Sequence, residues 1–311
     1  MSVYTELSFA QIQAFAGQYQ RRVIQIQPIQ NGIENSNWFV DFADGDHAVL
    51  TLFEALNFDQ ANNLAGLLDG IALRDLPVAT PYVNSVGQRL GWLADKPAQF
   101  APRLNGKHPI LPSHLQCQAM GQGLAQLHLA MQSVDFEQTN AHGQGWWQQA
   151  AAELRPAMNT DEQRLLDQLF MRFASVQSEV GDVPRGLIHG DLFRDNTLFC
   201  GDQLSGVLDF SECCVDEYLL DIAITLNDFC SDWPSVTLDQ DKYAEFLQGY
   251  QDIRPLTHQE QIALPVYLAM AAGRFWLSRL QVAQRNQVER RVGAHVLQKD
   301  PNEMREMVLD R

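Results

Sequence analysis

Apolar residues first recur at helical spacing. Ile12, Phe15, Ala16 and Tyr19 share one face, and Ser8-Phe9-Ala10-Gln11 before them has the form of a capping box. The period then shortens. Ile24 and Ile26 alternate with Gln25 and Gln27, which predicts a strand. Trp38–Asp41 and His47–Phe53 are further strand-like runs, with Asp44-Gly45 as the hairpin turn between them. A helix is expected over Asp59–Leu68. Tyr82–Val83 and Arg89–Leu93 read as another hairpin, turning near Val86-Gly87, and Gln99–Leu104 as one more strand. After Asn105-Gly106 the pattern becomes helical. Ser113–Met131 carries Leu115, Met120, Leu124, Leu127 and Met131 at helical spacing. Thr160-Asp161-Glu162-Gln163 opens a second helix and Thr257-His258-Gln259-Glu260 a third, the latter containing Pro265. The order predicts an α+β chain: a small antiparallel β lobe, residues 1–104, and a larger, mainly helical lobe, residues 105–311.

Leu187–Phe210 interrupts the helices with short apolar runs and turn residues. Residues 189–196 read His189-Gly190-Asp191-Leu192-Phe193-Arg194-Asp195-Asn196, followed by runs at Thr197–Cys200 and Leu204–Leu208 and then Asp209. Asp191, Asn196 and Asp209 therefore fall at the two ends of one hairpin. Phosphoryl transfer uses such a set. One carboxylate orients an acceptor hydroxyl and takes its proton, while an amide oxygen and a second carboxylate hold Mg²⁺ against the phosphates of ATP. His-Gly-Asp-x-x-x-x-Asn arises by chance in on the order of one such chain per thousand. The competing reading is a turn whose Asp residues cap nearby backbone.

The motif followed by Leu208-Asp209-Phe210 resembles the aminoglycoside phosphotransferase and choline kinase-like superfamily, small-molecule kinases with a protein-kinase-like bilobal fold. Five further blocks resemble the bacterial homoserine kinases of that superfamily: Val49–Glu54, Lys96-Pro97-Ala98, Leu192–Asn196, Arg274-Phe275-Trp276-Leu277-Ser278-Arg279-Leu280 and Lys299-Asp300-Pro301. The resemblance implies ATP-dependent phosphorylation of the side-chain hydroxyl of L-homoserine, a step toward threonine, with ATP and Mg²⁺ as cofactors. It makes Asp191 the catalytic base, Asn196 and Asp209 the metal ligands, and His189 a backbone organiser. Asp221 matches a residue that braces the catalytic loop; an ordinary carboxylate at a helix N-terminus is the alternative.

On the nucleotide side the resemblance points to Gly32, Asn35, Ser36 and Asn37 in the Asn31–Asn37 loop, and to Thr51 and Lys96. A simple strand connection is the alternative for that loop. Protein kinases carry a lysine on the third strand; Thr51 stands at its place here, and no lysine occurs before Lys96. About ten residues separate Asp209 from the next apparent helix, which leaves no room for a peptide-docking activation segment and favours a small acceptor. For that acceptor, Arg274 or Arg279 suits a carboxylate, and Glu212, Asp216, Asp228 or Asp232 suits an ammonium group. Two other functions fit less of the pattern. One is a related kinase acting on another alcohol or on protein Ser/Thr. The other is a non-catalytic nucleotide-binding module, for which the missing strand lysine is the argument.

Composition narrows the partners. The 311 residues are 46% hydrophobic, and 22 Lys and Arg face 38 Asp and Glu, for a net charge of −16. That balance opposes nucleic acid and anionic membranes as partners. Four lysines stand against eighteen arginines. The start lacks a secretory pattern, the five cysteines form no Cys-x-x-Cys pair, and the histidines lack zinc spacing, so reduced thiols in the cytoplasm are expected. Gly121-Gln122-Gly123 lies within a helical pattern and reads as close helix packing rather than a dinucleotide fingerprint. His128 and the Trp146-Trp147 pair read as core residues.

Overall fold

The structure is a computed structural model that describes residues 5–29, 35–288 and 299–311. It divides into two units, Met1–Asn105 and Gly106–Arg311.

In the first unit, helix α1 (Phe9–Gly17) starts where Ser8 accepts from the Gln11 N–H and the Gln11 side chain accepts from the Ser8 N–H. That exchange satisfies two donors the first helical turn leaves open. Strands β1 (Val23–Pro28), β2 (Ser36–Phe42), β3 (His47–Leu52), β4 (Gly91–Leu93) and β5 (Lys96–Pro102) form an antiparallel sheet in the order β1-β2-β3-β5-β4. Alternation sends Trp38, Val40, Phe42, Ala48, Leu50, Leu52, Ala98 and Phe100 into one core with Ile12, Phe15 and Ala16 of α1. Asn37, Thr51 and Gln99 alternate out of that core and lie opposite one another across β2, β3 and β5. Helix α2 (Phe58–Ala72) joins β3 to β4.

One hairpin differs from the sequence expectation. Tyr82–Val83 is not a strand; Asn84 instead closes a local turn, its N–H donating to the Gln88 carbonyl at 2.7 Å. Strand β4 pairs with β5 through Ala94-Asp95, at φ 51° and 60°. Two consecutive left-handed residues make the tight turn that a two-residue hairpin needs. Without glycine or asparagine at those positions the sequence does not advertise it.

The second unit contains α3 (His114–Met131), α4 (Gln144–Leu154), α5 (Thr160–Val180), α6 (Tyr218–Phe229), α7 (Gln240–Gln251), α8 (His258–Val288) and α9 (Pro301–Asp310). Between α5 and α6 run β6 (Arg185–Ile188), β7 (Thr197–Cys200), β8 (Gln203–Val207) and β9 (Cys214–Glu217). β6 pairs antiparallel with β9 and β7 with β8; β10 (Ser231–Asp232) and β11 (Thr237–Leu238) form a short ribbon before α7. α8 continues through Pro265. Gly121 on α3 meets α7 so closely that a Cβ there would lie 2.1 Å from the Phe246 carbonyl oxygen, as close helix packing requires. Every residue of α6 is buried, including Asp221, which must therefore be paired. Among the described residues no helix is long and apolar enough to cross a membrane.

Candidate active site

β6 ends at Ile188, and the chain turns through His189-Gly190-Asp191 into a one-turn 3-10 helix at Arg194–Asn196 before β7. The turn needs Gly190, whose φ is +78° and whose missing Cβ leaves room for the Glu212 carbonyl. Asp221, at the start of α6, accepts from the N–H of His189 at 2.8 Å and of Gly190 at 2.9 Å. Its Oδ2 also meets His128 Nε2 at 3.0 Å, and His128 Nδ1 meets the Tyr250 hydroxyl at 2.8 Å. Burial alone would raise the Asp221 carboxyl; the His128 hydrogen bond and the His189 N–H outweigh it and hold the group below its ordinary range. His128 is thus a buried, satisfied histidine in the brace of the loop. His189 ties the same loop to the β7–β8 hairpin, its Nε2 lying 2.8 Å from the Leu208 carbonyl.

Asn196 donates from Nδ2 to the Asp191 backbone carbonyl at 2.8 Å and to Asp191 Oδ2 at 3.2 Å. Its backbone carbonyl accepts from the Leu208 N–H at 2.9 Å, drawing the two ends of the hairpin together. Asp209 follows with φ +56°, an uncommon backbone state for a residue other than glycine. Its Oδ1 accepts from the Ser211 hydroxyl at 2.6 Å. The Asp191 carboxyl is pushed up to about 7, chiefly by burial and further by the negative charges of Asp209 and Glu212; Arg274 and Lys299 act against the rise. Asn196 Oδ1 and the Asp209 carboxylate make an all-oxygen donor pair, the type a hard divalent cation takes together with waters and phosphate oxygens. No cluster of three or more metal-binding His, Cys, Asp or Glu occurs among the described residues.

A second cluster adjoins Asp191. Glu212 Oε2 lies 2.8 Å from His142 Nδ1 and 3.3 Å from Arg274 Nη2. Burial works to raise the Glu212 carboxyl, but His142 and Arg274 hold it below its ordinary range. Arg274 is 8% exposed and stacks on Phe275, with 3.9 Å from guanidinium carbon to ring centroid. His142, which packs against Trp146, carries no sequence signal for the site, because its carboxylate partner Glu212 lies 70 residues away.

The remaining acceptor candidates are engaged elsewhere. Arg279 donates to the Asp300 carbonyl at 2.7 Å and to Glu303 at 2.8 Å, at the start of α9. Asp216 accepts from Asn140 at 2.6 Å and faces Arg185. Asp228 is buried against Arg194, and Asp232 pairs with Lys242 on the surface. Trp147 packs in the core against Phe173.

In the first unit, Gly32 lies outside the described residues. Asn35 and Asn37 are joined by a 3.3 Å hydrogen bond. Lys96 pairs with Glu54 and donates to the Thr5 hydroxyl at 2.8 Å; Ser36 donates to Glu54 at 2.5 Å. Thr51 lies between Asn37 and Gln99. Gln99 is buried, and its Oε1 has no partner among the described residues. A buried acceptor without a partner beside Thr51 fits a face that receives a polar ligand such as a nucleotide. A lone glutamine between apolar neighbours gave no such sign in the sequence.

Residues 25–256 match the phosphotransferase enzyme family. Curated relatives include a homoserine kinase of Polaromonas naphthalenivorans (strain CJ2), 39% identical over 90% of this chain and 89% of its own. Homoserine kinases of Methylobacillus flagellatus, 41% identical over 90% and 87%, and of Neisseria meningitidis serogroup B, 33% identical over 99% of both chains, are also similar. Among solved structures, an amicoumacin kinase in complex with AMP-PNP, Ca²⁺ and Ami superposes with TM-score 0.70 at 14% identity, covering 96% of this chain and 92% of that one. The GDP complex of aminoglycoside 2'-phosphotransferase-IIIa gives TM-score 0.67 at 14% identity over 98% of both chains. The expected protein-kinase-like α+β fold therefore holds. The chain belongs to the phosphotransferase enzyme family and, within it, to the bacterial homoserine kinases.

Proposed function

We propose that this protein transfers the γ-phosphoryl group of ATP to the side-chain hydroxyl of L-homoserine, yielding ADP and O-phospho-L-homoserine. The observation that carries the chemistry is the Asp191–Asn196–Asp209 constellation on a loop braced by Asp221. The acceptor follows from the homoserine kinase relatives, 33–41% identical over most of the chain.

Asp191 aligns the acceptor hydroxyl and takes its proton. The hydroxyl oxygen forms a bond to the γ-phosphorus, and the bond to the β–γ bridging oxygen breaks, its electron pair leaving with ADP. Asn196 fixes the Asp191 carboxylate through Nδ2. In this reading Asn196 and Asp209 hold a divalent cation, Mg²⁺, which when bound neutralises charge on the phosphate oxygens. His189 and Asp221 keep the loop backbone in register. On the nucleotide side, Asn35, Ser36, Asn37 and Thr51 are joined by Gln99, with Lys96 positioned by Glu54. Arg274 takes the acceptor carboxylate in a two-pronged contact, and Glu212 takes the ammonium group. Arg279 is left out because its donors serve α9. The cytoplasm is the proposed compartment; the five cysteines are free thiols.

An acceptor panel tests this. ADP release with Mg-ATP is measured against homoserine, serine, choline, aminoglycosides, methylthioribose and a protein mixture. Homoserine should give the highest kcat/KM. Rapid turnover of another acceptor with none of homoserine overturns the reading.

A further inference from the structure

We propose that Lys299 is a further catalytic residue whose ammonium group hydrogen-bonds the phosphoryl group as it passes from ATP to the acceptor hydroxyl. This rests on the reading of Asp191 as the base. Charge on the oxygens of a phosphoryl group in flight is stabilised by cations already in position. This chain has few to offer. Thr51 stands in the strand where a kinase lysine is expected, and Lys96, held by Glu54, is assigned to the bound nucleotide rather than to the group in transfer. Lys242 is bound to Asp239 and Asp232. Arg274 and Lys299 are among the positive charges that act on the Asp191 carboxyl. Arg274 is buried on the side of Glu212 and His142, the side assigned to the acceptor.

Lys299 lies over the residues that follow the base in the catalytic loop. Its Nζ lies 5.4 Å from the ring centroid of Phe193, two residues beyond the base, and 3.1 Å from Asp195 Oδ2, one residue before Asn196. The platform is fixed, because Phe193 is buried and packs edge-on against Phe275 at 4.6 Å. The backbone that carries Lys299 is fixed as well. Arg279 grips the Asp300 carbonyl and Glu303, Asp300 caps α9, and Met304 and Met307 anchor that helix in the core. The ammonium group itself is not locked. Lys299 and Asp195 are 53% and 61% exposed, and an ion pair so solvated contributes little. Nζ is therefore available to leave Asp195 for a more highly charged partner. In the step, Lys299 donates a hydrogen bond to a non-bridging γ-oxygen and keeps its protons. Asp191 takes the hydroxyl proton and ADP leaves with the electron pair of the broken P–O bond.

Full-length Lys299→Met, Lys299→Arg and Asp195→Asn are compared with the wild type at saturating Mg-ATP and homoserine, with thermal melts for each. Lys299→Met should lower kcat by about 10²-fold. KM for either substrate should stay within about threefold and the melting temperature should hold, as for loss of a contact made in the transition state. Lys299→Arg should recover part of the loss. Asp195→Asn, which removes the ion pair and leaves the cation, should keep kcat within about threefold. Undiminished kcat in Lys299→Met overturns the proposal. A rise in KM with kcat unchanged does so too, as does an equal loss in Asp195→Asn, which would make the pair a structural latch. A wild type that releases no homoserine-dependent ADP overturns the reading of the whole site; turnover unimpaired by Lys299→Met overturns the Lys299 role alone.

Discussion

Asp221 touches no reacting atom in the proposed mechanism, yet it holds His189 and Gly190 through two backbone N–H bonds and needs His128 to remain a carboxylate in the core. Burial is the largest influence on His128 and moves its pKa below 6.5 despite Asp221, so the folded ring is neutral. A group whose folded pKa is depressed adds stability that is present above its unfolded value and lost as pH falls below it. The stability gap between wild type and His128→Gln should therefore be widest above pH 6.5 and narrow on acidification. Chemical denaturation at several pH values measures it; a gap that widens toward acid would contradict the neutral, braced ring. At this scale the sequence was most legible where the chemistry is local. Asp191, Asn196 and Asp209 lie within 19 positions and meet through one hairpin, so spacing alone brought them together. His142, Glu212 and Arg274 share no spacing, because the residues before α4, the residues before β9 and helix α8 bring them in from distant parts of the chain.

Elements decide which of the legible residues face the site. Arg274 and Arg279 stand five residues apart on α8, so they leave the helix in different directions. One turns toward Glu212 and the other toward α9. The spacing alone does not say which of them faces Glu212. The β4–β5 hairpin escapes the sequence pattern because Ala94-Asp95 is an unadvertised turn, whereas α1 is legible from its capping box and α3 from its apolar spacing; α5 is legible as a helix, but its cap is Asn159, one residue before the expected start at Thr160. The α3–α7 crossing allows a direct test of the packing reading of Gly121-Gln122-Gly123. Gly121→Ala puts a Cβ against the Phe246 backbone, and Gly145, an exposed position on α4, has nothing within 4 Å. Gly121→Ala should destabilise the fold by about 1–3 kcal/mol. Gly145→Ala should be neutral or stabilising by about 0.5–1 kcal/mol. Equal melting temperatures for the two variants would contradict the close crossing.

Taken over the whole molecule, the net charge of −16 gives no long-range attraction for a nucleotide. Many of the arginines are spent internally: Arg194 on Asp228, Arg254 on Glu260, Arg279 on Glu303. Binding of ATP must then be local, through a divalent cation and a few placed donors, since salt screens distant charges within about 8 Å. The shortage of lysine, visible in the composition, gains its meaning from the fold, which sets Thr51 in β3, ties Lys96 to Glu54 and leaves Lys299 over the catalytic loop. Transfer with Asp191 as the base is the step on which the mechanism proposed for this phosphotransferase rests. It is tested most directly by homoserine-dependent ADP release in wild type and Asp191→Asn, with ATP affinity measured separately. Asp191→Asn should lower kcat by about 10³-fold with ATP affinity within about threefold of wild type; a kcat close to that of the wild type would rule out Asp191 as the base.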